Sequence, residues 1–393
     1  MHALIFFSVQ FLLAVTWTLY VAFLPQLAAQ VGLPRAQVAW ILMMDQVIFV
    51  AMDFALGVAA DRVANAMRRL GGWILALSVA SALAFVLLPS VTSPALLLAL
   101  TAFWAATSSA LRAPPMVIIA RRMHSRASTF LVSCSLLGVG LAGAVAPLLT
   151  ARLRTVSPLL PFVAASAALV IAVAALRWLE PPAESRHPDL SSPPGIGPKR
   201  VWLLFVAVWL LAFGFQIHTA INSAPAYLRF VSNASLVNVM PAFWVGFALC
   251  VLLPEIPLLK RYPAHVLLLA AAALGVLALS GFAAASSLGW VLATQYVAGG
   301  LWGIMFGSTV NAALNAGHVG HEGAFTGVVF AVLAVAAFMR IAAVSSGASK
   351  AAPLAGLLPW VPVAAWGLAA VLLATFVLAN LAPHALPCAR DRC

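Results

Sequence analysis

The sequence predicts an all-α integral membrane protein, about twelve transmembrane helices arranged as two six-helix halves. Three observations lead there. Hydrophobic residues make up 64% of the 393-residue chain and charged residues only 8%, with a mean hydropathy of +1.07, whereas soluble domains carry about 25% charged residues. The apolar surface is divided into runs long enough to cross a hydrocarbon core at 1.5 Å per residue. The runs fall into two sets on either side of a segment, RWLEPPAESRHPDLSSPPGIGPKR, that is rich in proline, serine and charge and reads as a linker.

The first run, residues 4–24, follows no basic stretch and ends in no small-residue cleavage site, so it reads as a retained span rather than a secretory signal. The second, 36–60, carries Asp45 and Asp53 and breaks at Asp61-Arg62 into a short basic loop. The third and fourth, 70–88 and 94–120, are separated by Pro89 and Pro94, placed where a missing N–H costs least. The fourth contains Arg112, with Pro114 and Pro115 just after it. The fifth and sixth, 127–150 and 158–178, complete an N-terminal bundle of residues 1–178, followed by a linker over 179–200. Runs at 201–222, 236–259, 264–285, 289–314, 324–346 and 357–380 build a second bundle over 201–381, leaving a tail at 382–393.

The net charge of +12 does not indicate nucleic acid, because the basic residues sit in short loops between apolar runs. With the N-terminus cytoplasmic, the inner loops hold fourteen Lys and Arg residues and the outer loops five. This is the positive-inside bias, and it places both termini in the cytoplasm, on the cytoplasmic membrane. Cys134 and Cys250 fall inside apolar runs and Cys388 and Cys393 in the tail, so no disulfide framework is legible.

The halves show internal symmetry at a shift of about 200 residues. Pro25 corresponds to Pro225, Thr16 and Thr18 to Gln216 and His218, and Asp61 with Arg68-Arg69 to Glu255 with Lys260-Arg261. Small-residue stripes at Ala102, Ala106 and Ala110 and at Gly299, Gly303 and Gly307 predict close helix packing in the fourth and tenth spans.

Twelve spans, a 6+6 division and the second-to-third loop together resemble the major facilitator superfamily. That family's loop carries a glycine, three residues, Asp-Arg, one residue, a second glycine and a basic cluster. Gly57, Asp61 and Arg62 match it; Ala64 stands at the second glycine, and Arg68-Arg69 arrive two or three residues late. The family's fifth helix often carries a glycine-rich stretch ending in Gly-Pro, met here by Gly138, Gly140, Gly143 and Ala146-Pro147. The resemblance implies alternating access about a midplane site lined mainly by helices one, four, seven and ten. It makes Gly57, Asp61, Arg62, Arg68 and Arg69 a gating motif, with Asp61 in a charge cluster that latches the inner gate. The alternative for Asp61 is an interfacial cap.

Intramembrane charge is costly and marks function or a specific partner. Asp53 lies eight residues before Asp61, about 12 Å into the membrane, and Arg112 shares that depth. They either pair, or Arg112 binds an anionic substrate and frees Asp53 to protonate; alternatively the guanidinium satisfies carbonyls near Ala110 and Leu111 that Pro114 and Pro115 leave without partners. Asp45, with Gln46 beside it, is a candidate proton site, or else a carboxylate that reaches the outer interface or bonds to a neighbouring helix. Gln216, His218 and Asn222 in helix seven, and Thr309, Asn311 and Asn315 in helix ten, are candidate cavity groups or inter-helix hydrogen bonders. Arg340 is expected to snorkel to water near the outer end of helix eleven. HVGHEG, with His318, His321 and Glu322, lacks a third firm metal ligand, and no phosphate loop is present. The expectation is therefore no metal, no cofactor and no enzyme activity. Expected partners are a small-molecule substrate and the bilayer.

The reading is a secondary transporter of a small organic solute, with Arg112 favouring an anionic one and the proton gradient as energy source. Its rivals are efflux of amphipathic compounds on the same fold and a non-transporting membrane sensor or scramblase.

Overall fold

The structure, a computed structural model, describes residues 1–66, 70–122, 125–153, 155–178, 198–257, 259–317 and 320–381. Among the described residues twelve helical spans are long and apolar enough to cross a membrane: α1 (His2–Gln30), α2 (Gln37–Ala64), α3 (Leu70–Ser90), α4 (Pro94–Ala120), α5 (Ser128–Leu153), α6 (Leu159–Trp178), α7 (Arg200–Leu228), α8 (Leu236–Glu255), α9 (Ala264–Ala283), α10 (Leu288–Ala316), α11 (Glu322–Ser345) and α12 (Val361–Ala379). Odd-numbered spans begin at the face carrying the N-terminus, here the near face, and even-numbered spans begin at the far face.

Local signals set the ends. Ser93 and Ser287 cap α4 and α10, each hydroxyl accepting a backbone N–H, from Leu96 and Trp290, at 3.3 Å. After α1 the chain turns through Gly32 at φ 78, and the N–H groups of Gly32 and Leu33 return to the carbonyls of Ala29 and Ala28 at 3.0 and 2.9 Å. Only glycine adopts that left-handed conformation without steric cost. The first helix runs past residue 24, where the apolar run closes, and continues to Gln30 with Pro25 inside it.

Among the described residues four spans depart from α geometry: α3 ends in a 3₁₀ turn at Leu88–Ser90, α8 is interrupted at Met240 and Pro241 and ends in a 3₁₀ turn at Leu253–Glu255, and α4 and α7 change geometry within the span. In α4 the helix tightens to a 3₁₀ turn at Ser109–Leu111 and resumes at Ala113, so Pro114 and Pro115 fall in the first turn of the new segment, where no donor is missed. In α7 a π-turn at His218–Asn222 leaves the His218 carbonyl accepting from both the N–H and the hydroxyl of Ser223.

Packing follows the small residues. In α10, a side chain at Gly299 or Gly303 would collide with the carbonyls of Phe243 and Phe247 in α8, while Gly307 has room beside Leu136 of α5. Trp366 of α12 is fully buried only because Gly214 and Gly275 leave space for its ring, and its indole N–H donates to the Leu211 carbonyl at 2.9 Å. The first six spans meet the last six chiefly where α2 lies along α11 and α5 crosses α8.

Candidate functional site

At the near face α2 and α11 touch backbone to backbone. Gly57 faces Gly323 and Gly327 faces Asp53 and Phe54, with no space for a Cβ on either glycine. One turn on, the Asp61 carboxylate accepts the N–H groups of Gly323 and Ala324, both at 2.9 Å. Those are orphan donors in the first turn of α11, the positive end of its dipole, and a carboxylate is the side chain that satisfies two of them while neutralising that end. Arg62 is exposed. Arg68 and Arg69 lie outside the described residues, as do residues 179–197 of the linker and the tail; the helix leading into α7 already begins at Pro198, inside the expected linker. At the related position in the second half, Glu255 forms an ion pair with Lys260 at 2.9 Å.

Above this seal a cavity of about 910 Å³ runs from the middle of the bundle to the far face, where Ala151, Asn233 and Ala234 line it. Its walls come from α1, α2, α4, α5, α7, α8, α10 and α11. Trp17, Phe49 and Trp104 make an aromatic wall on one side, with Phe215, Trp244 and Phe306 opposite. The Trp17 and Trp104 rings stack at 6.1 Å.

Arg112 forms part of the cavity floor. It follows the 3₁₀ turn of α4, and its guanidinium bonds Asp53 of α2 at 2.6 Å while lying 3.9 Å above the Phe49 ring. The Asp53 side chain has no exposure, whereas the Arg112 side chain keeps 26%; the pair is half in protein and half in the cavity. One Asp53 oxygen, Oδ1, is buried without a hydrogen-bond partner. The guanidinium is not needed by the Leu111 carbonyl, because Gln10 of α1 donates to it at 2.7 Å.

The other candidates separate into two groups. Gln216 lines the cavity and accepts from the Arg340 guanidinium at 3.3 Å. Arg340 therefore turns into the cavity rather than snorkelling to the lipid surface. His218, two residues further along α7, faces the opposite way: its ring meets Gln295 of α10 at 3.0 Å and Phe282 of α9 edge-on at 4.6 Å, and Gln295 in turn donates to Ser223 at 2.9 Å. Asn222 donates to the Leu358 carbonyl and Asn311 to the Gly307 carbonyl, at 2.8 and 2.9 Å. Asn315 is exposed near the near-face end of α10. None of these four is in the cavity wall. Asp45 is fully buried behind it, accepting from the Tyr20 hydroxyl at 2.7 Å and leaving Oδ1 without a partner.

Sequence reasoning passed over Gln10, Trp17, Trp104, Ser108 and Thr219, all of which line the cavity. A polar or indole side chain on helices one, four and seven was the available signal, masked by tryptophans equally common at lipid-facing positions. Among the described residues no group of three or more His, Cys, Asp and Glu is placed to hold a metal. His318 lies outside the described residues, and Glu322 accepts the Gly320 N–H at 3.0 Å.

A bundle of twelve spans, sealed at one face by contacts between its first and last six helices and open at the other to a polar-floored cavity, is built as a membrane transporter. The Major Facilitator Superfamily model matches residues 6–339, and the chain belongs to that superfamily. Solved structures share its fold. The human organic anion transporter MFSD10 (TETRAN) aligns over 94% of this chain and 98% of its own at 14% identity and a TM-score of 0.72. FucP in the outward conformation aligns over 95% of this chain and 98% of its own at 15% identity and a TM-score of 0.69. A variant of the E. coli fucose:proton symporter FucP gives the same coverage, identity and TM-score. No curated protein sequence matches the chain.

Proposed function

We propose that this protein is a proton-coupled secondary transporter of a small organic anion, working by alternating access with the Arg112–Asp53 pair at its centre. The observation that carries the reading is that pair's asymmetry: Arg112 reaches the cavity while Asp53 has no exposure. An anion entering the cavity competes with Asp53 for the guanidinium. Once released, a carboxylate without exposure is strongly disfavoured as an ion, since an unpaired buried charge costs several kcal/mol. Taking up a proton removes that cost, so anion binding and protonation reinforce each other and the two move together.

The positive-inside bias supports a cytoplasmic near face, which makes the arrangement described above outward-facing with its inner gate shut. Asp61 on the α11 N-terminus then holds that gate, and inward opening requires α11 to leave the carboxylate. Asp45 is a second proton site on this reading, reached from the cavity past Trp17 and Trp104. The driving force is the proton gradient, with no bound cofactor. FucP is described as a fucose:proton symporter and MFSD10 as an organic anion transporter; both kinds of chemistry are compatible with the pair.

The deciding experiment is flux of radiolabelled organic anions into proteoliposomes under an imposed pH gradient. Uptake that follows the gradient and is lost in Arg112→Gln supports the reading; uptake of neutral or cationic solutes with no dependence on Arg112 refutes it. Export of amphipathic compounds is the second reading, favoured by the aromatic walls and by the glycine-rich α5, where Gly140 and Gly143 lie against Phe247 and Trp244. Efflux from preloaded vesicles against a gradient distinguishes it.

A further inference from the structure

We infer that Arg340 and Gln216 form a second anion-binding station, about 15 Å nearer the cavity mouth than Arg112 at helical rise, which receives the substrate's acidic group before Arg112 does. The inference rests on the anionic-substrate reading above. Its first support is charge balance within the cavity. Arg112 is neutralised by Asp53, but among the described residues Arg340 has no carboxylate within ion-pair distance, and its guanidinium donates to the Gln216 side-chain oxygen at 3.3 Å. The remaining donors of the guanidinium are left to whatever occupies the cavity that both residues line. An uncompensated cation in a largely apolar, partly enclosed space attracts an anion more strongly than the same group in open water.

The second support is the charge of the whole far face. The six connections at that face contain no Asp or Glu in the sequence, while Arg35, Arg229 and Lys350 lie in or beside them, with Arg152 at the last turn of α5. The acid of α2 nearest that face is Asp45, eight residues inside the helix start and fully buried. The connections of the far face, onto which the cavity opens, therefore carry one sign of charge, which favours the approach of anions over cations.

The depths separate the two stations. Arg340 is eighteen residues from the near-face start of α11 and Arg112 eight from the near-face end of α4. At helical rise this sets them roughly 15 Å apart along the bundle axis. Between them stand Phe215, Trp244 and Phe306 on one side and Trp17 and Trp104 on the other, apolar faces suited to the body of an aromatic or amphipathic carboxylate or sulfonate. Each half of the protein contributes one guanidinium, so a substrate passing from Arg340 to Arg112 engages the halves in turn.

Thr219 lines the cavity one helical turn from Gln216, and a Thr219→Cys protein reports on the station. Labelling of the introduced thiol by anionic sulfonatoethyl methanethiosulfonate and cationic trimethylammonioethyl methanethiosulfonate is followed by mass spectrometry on the peptide that contains it, with naphthalenesulfonate as protecting anion. Adding Arg340→Gln is expected to lower the anionic-to-cationic rate ratio roughly tenfold, with Arg340→Lys restoring most of it. Naphthalenesulfonate should protect the thiol in the Arg112→Gln protein but not in Arg340→Gln. An unchanged rate ratio in Arg340→Gln overturns the station. Protection that disappears only in Arg112→Gln also overturns it, while leaving the proposed function standing with one site at the cavity floor. Protection lost in neither variant overturns both.

Discussion

If Asp53 and Arg112 are coupled as their geometry indicates, removing each singly and both together should give unequal and non-additive losses. In Arg112→Gln the carboxylate left behind has no exposure and already has one oxygen without a partner, so the full cost of an orphaned buried charge applies, about 3–5 kcal/mol. In Asp53→Asn the group left behind is Arg112, a quarter exposed to the cavity and lying on Phe49. Water and the ring compensate much of its charge, and about 1–2 kcal/mol is expected once solvent screening is allowed for. The double variant removes both charges, so it should lie above Arg112→Gln in stability, with a coupling energy of about 2–3 kcal/mol. The assay is a double-mutant cycle on unfolding of purified protein in detergent or nanodiscs, run alongside gradient-driven uptake. Gradient-driven uptake should be lost in Arg112→Gln and in the double variant, whereas Asp53→Asn, which keeps the guanidinium, should retain anion exchange without its response to the pH gradient. A coupling energy below about 0.5 kcal/mol would refute the pairing argument.

Other expectations follow from the same structure. Asp61→Asn keeps a polar side chain but removes the charge from the α11 N-terminus, worth about 1–2 kcal/mol, so near-face closure should weaken by roughly 5–30-fold, read as faster labelling of a near-face cysteine; an unchanged rate removes the gate assignment. Gly57→Leu cannot coexist with the Gly323 backbone and should abolish the sealed near face altogether, which distance measurements between spin labels on α2 and α11 will report. Asp45→Asn should eliminate pH-driven flux while sparing anion exchange; undiminished pH-driven flux would end its coupling role. Charge reversal at Arg68 and Arg69 should disturb insertion as read by reporter fusions at the C-terminus, and wild-type orientation with wild-type activity would count against the topology argument.

The spans themselves were legible because hydropathy needs only one dimension. A helix must satisfy its backbone internally in lipid and must be long enough to cross it, so twelve apolar runs, their turn signals and the shared depth of Asp53 and Arg112 could be read without a fold. The loop motif was readable for a different reason: Gly57 and Asp61 sit one turn apart on one helix face, a spacing that matches the family's loop.

Which polar groups face the cavity was decided by tertiary structure. Gln216 and His218 are two residues apart, and helical geometry places them on diverging faces, but nothing in the sequence states which face meets Arg340 and which meets Gln295. The π-turn beside them and the 3₁₀ turn before Arg112 change helix rotation locally, by amounts that depend on Ser223, Gln10 and the helices they touch. Arg340 shows the same ambiguity, since a charge near a span's end finds water either beyond the bilayer or inside the protein. Hydropathy reports how much a buried polar side chain costs. The partner that offsets it is chosen by how the helices are rotated and packed.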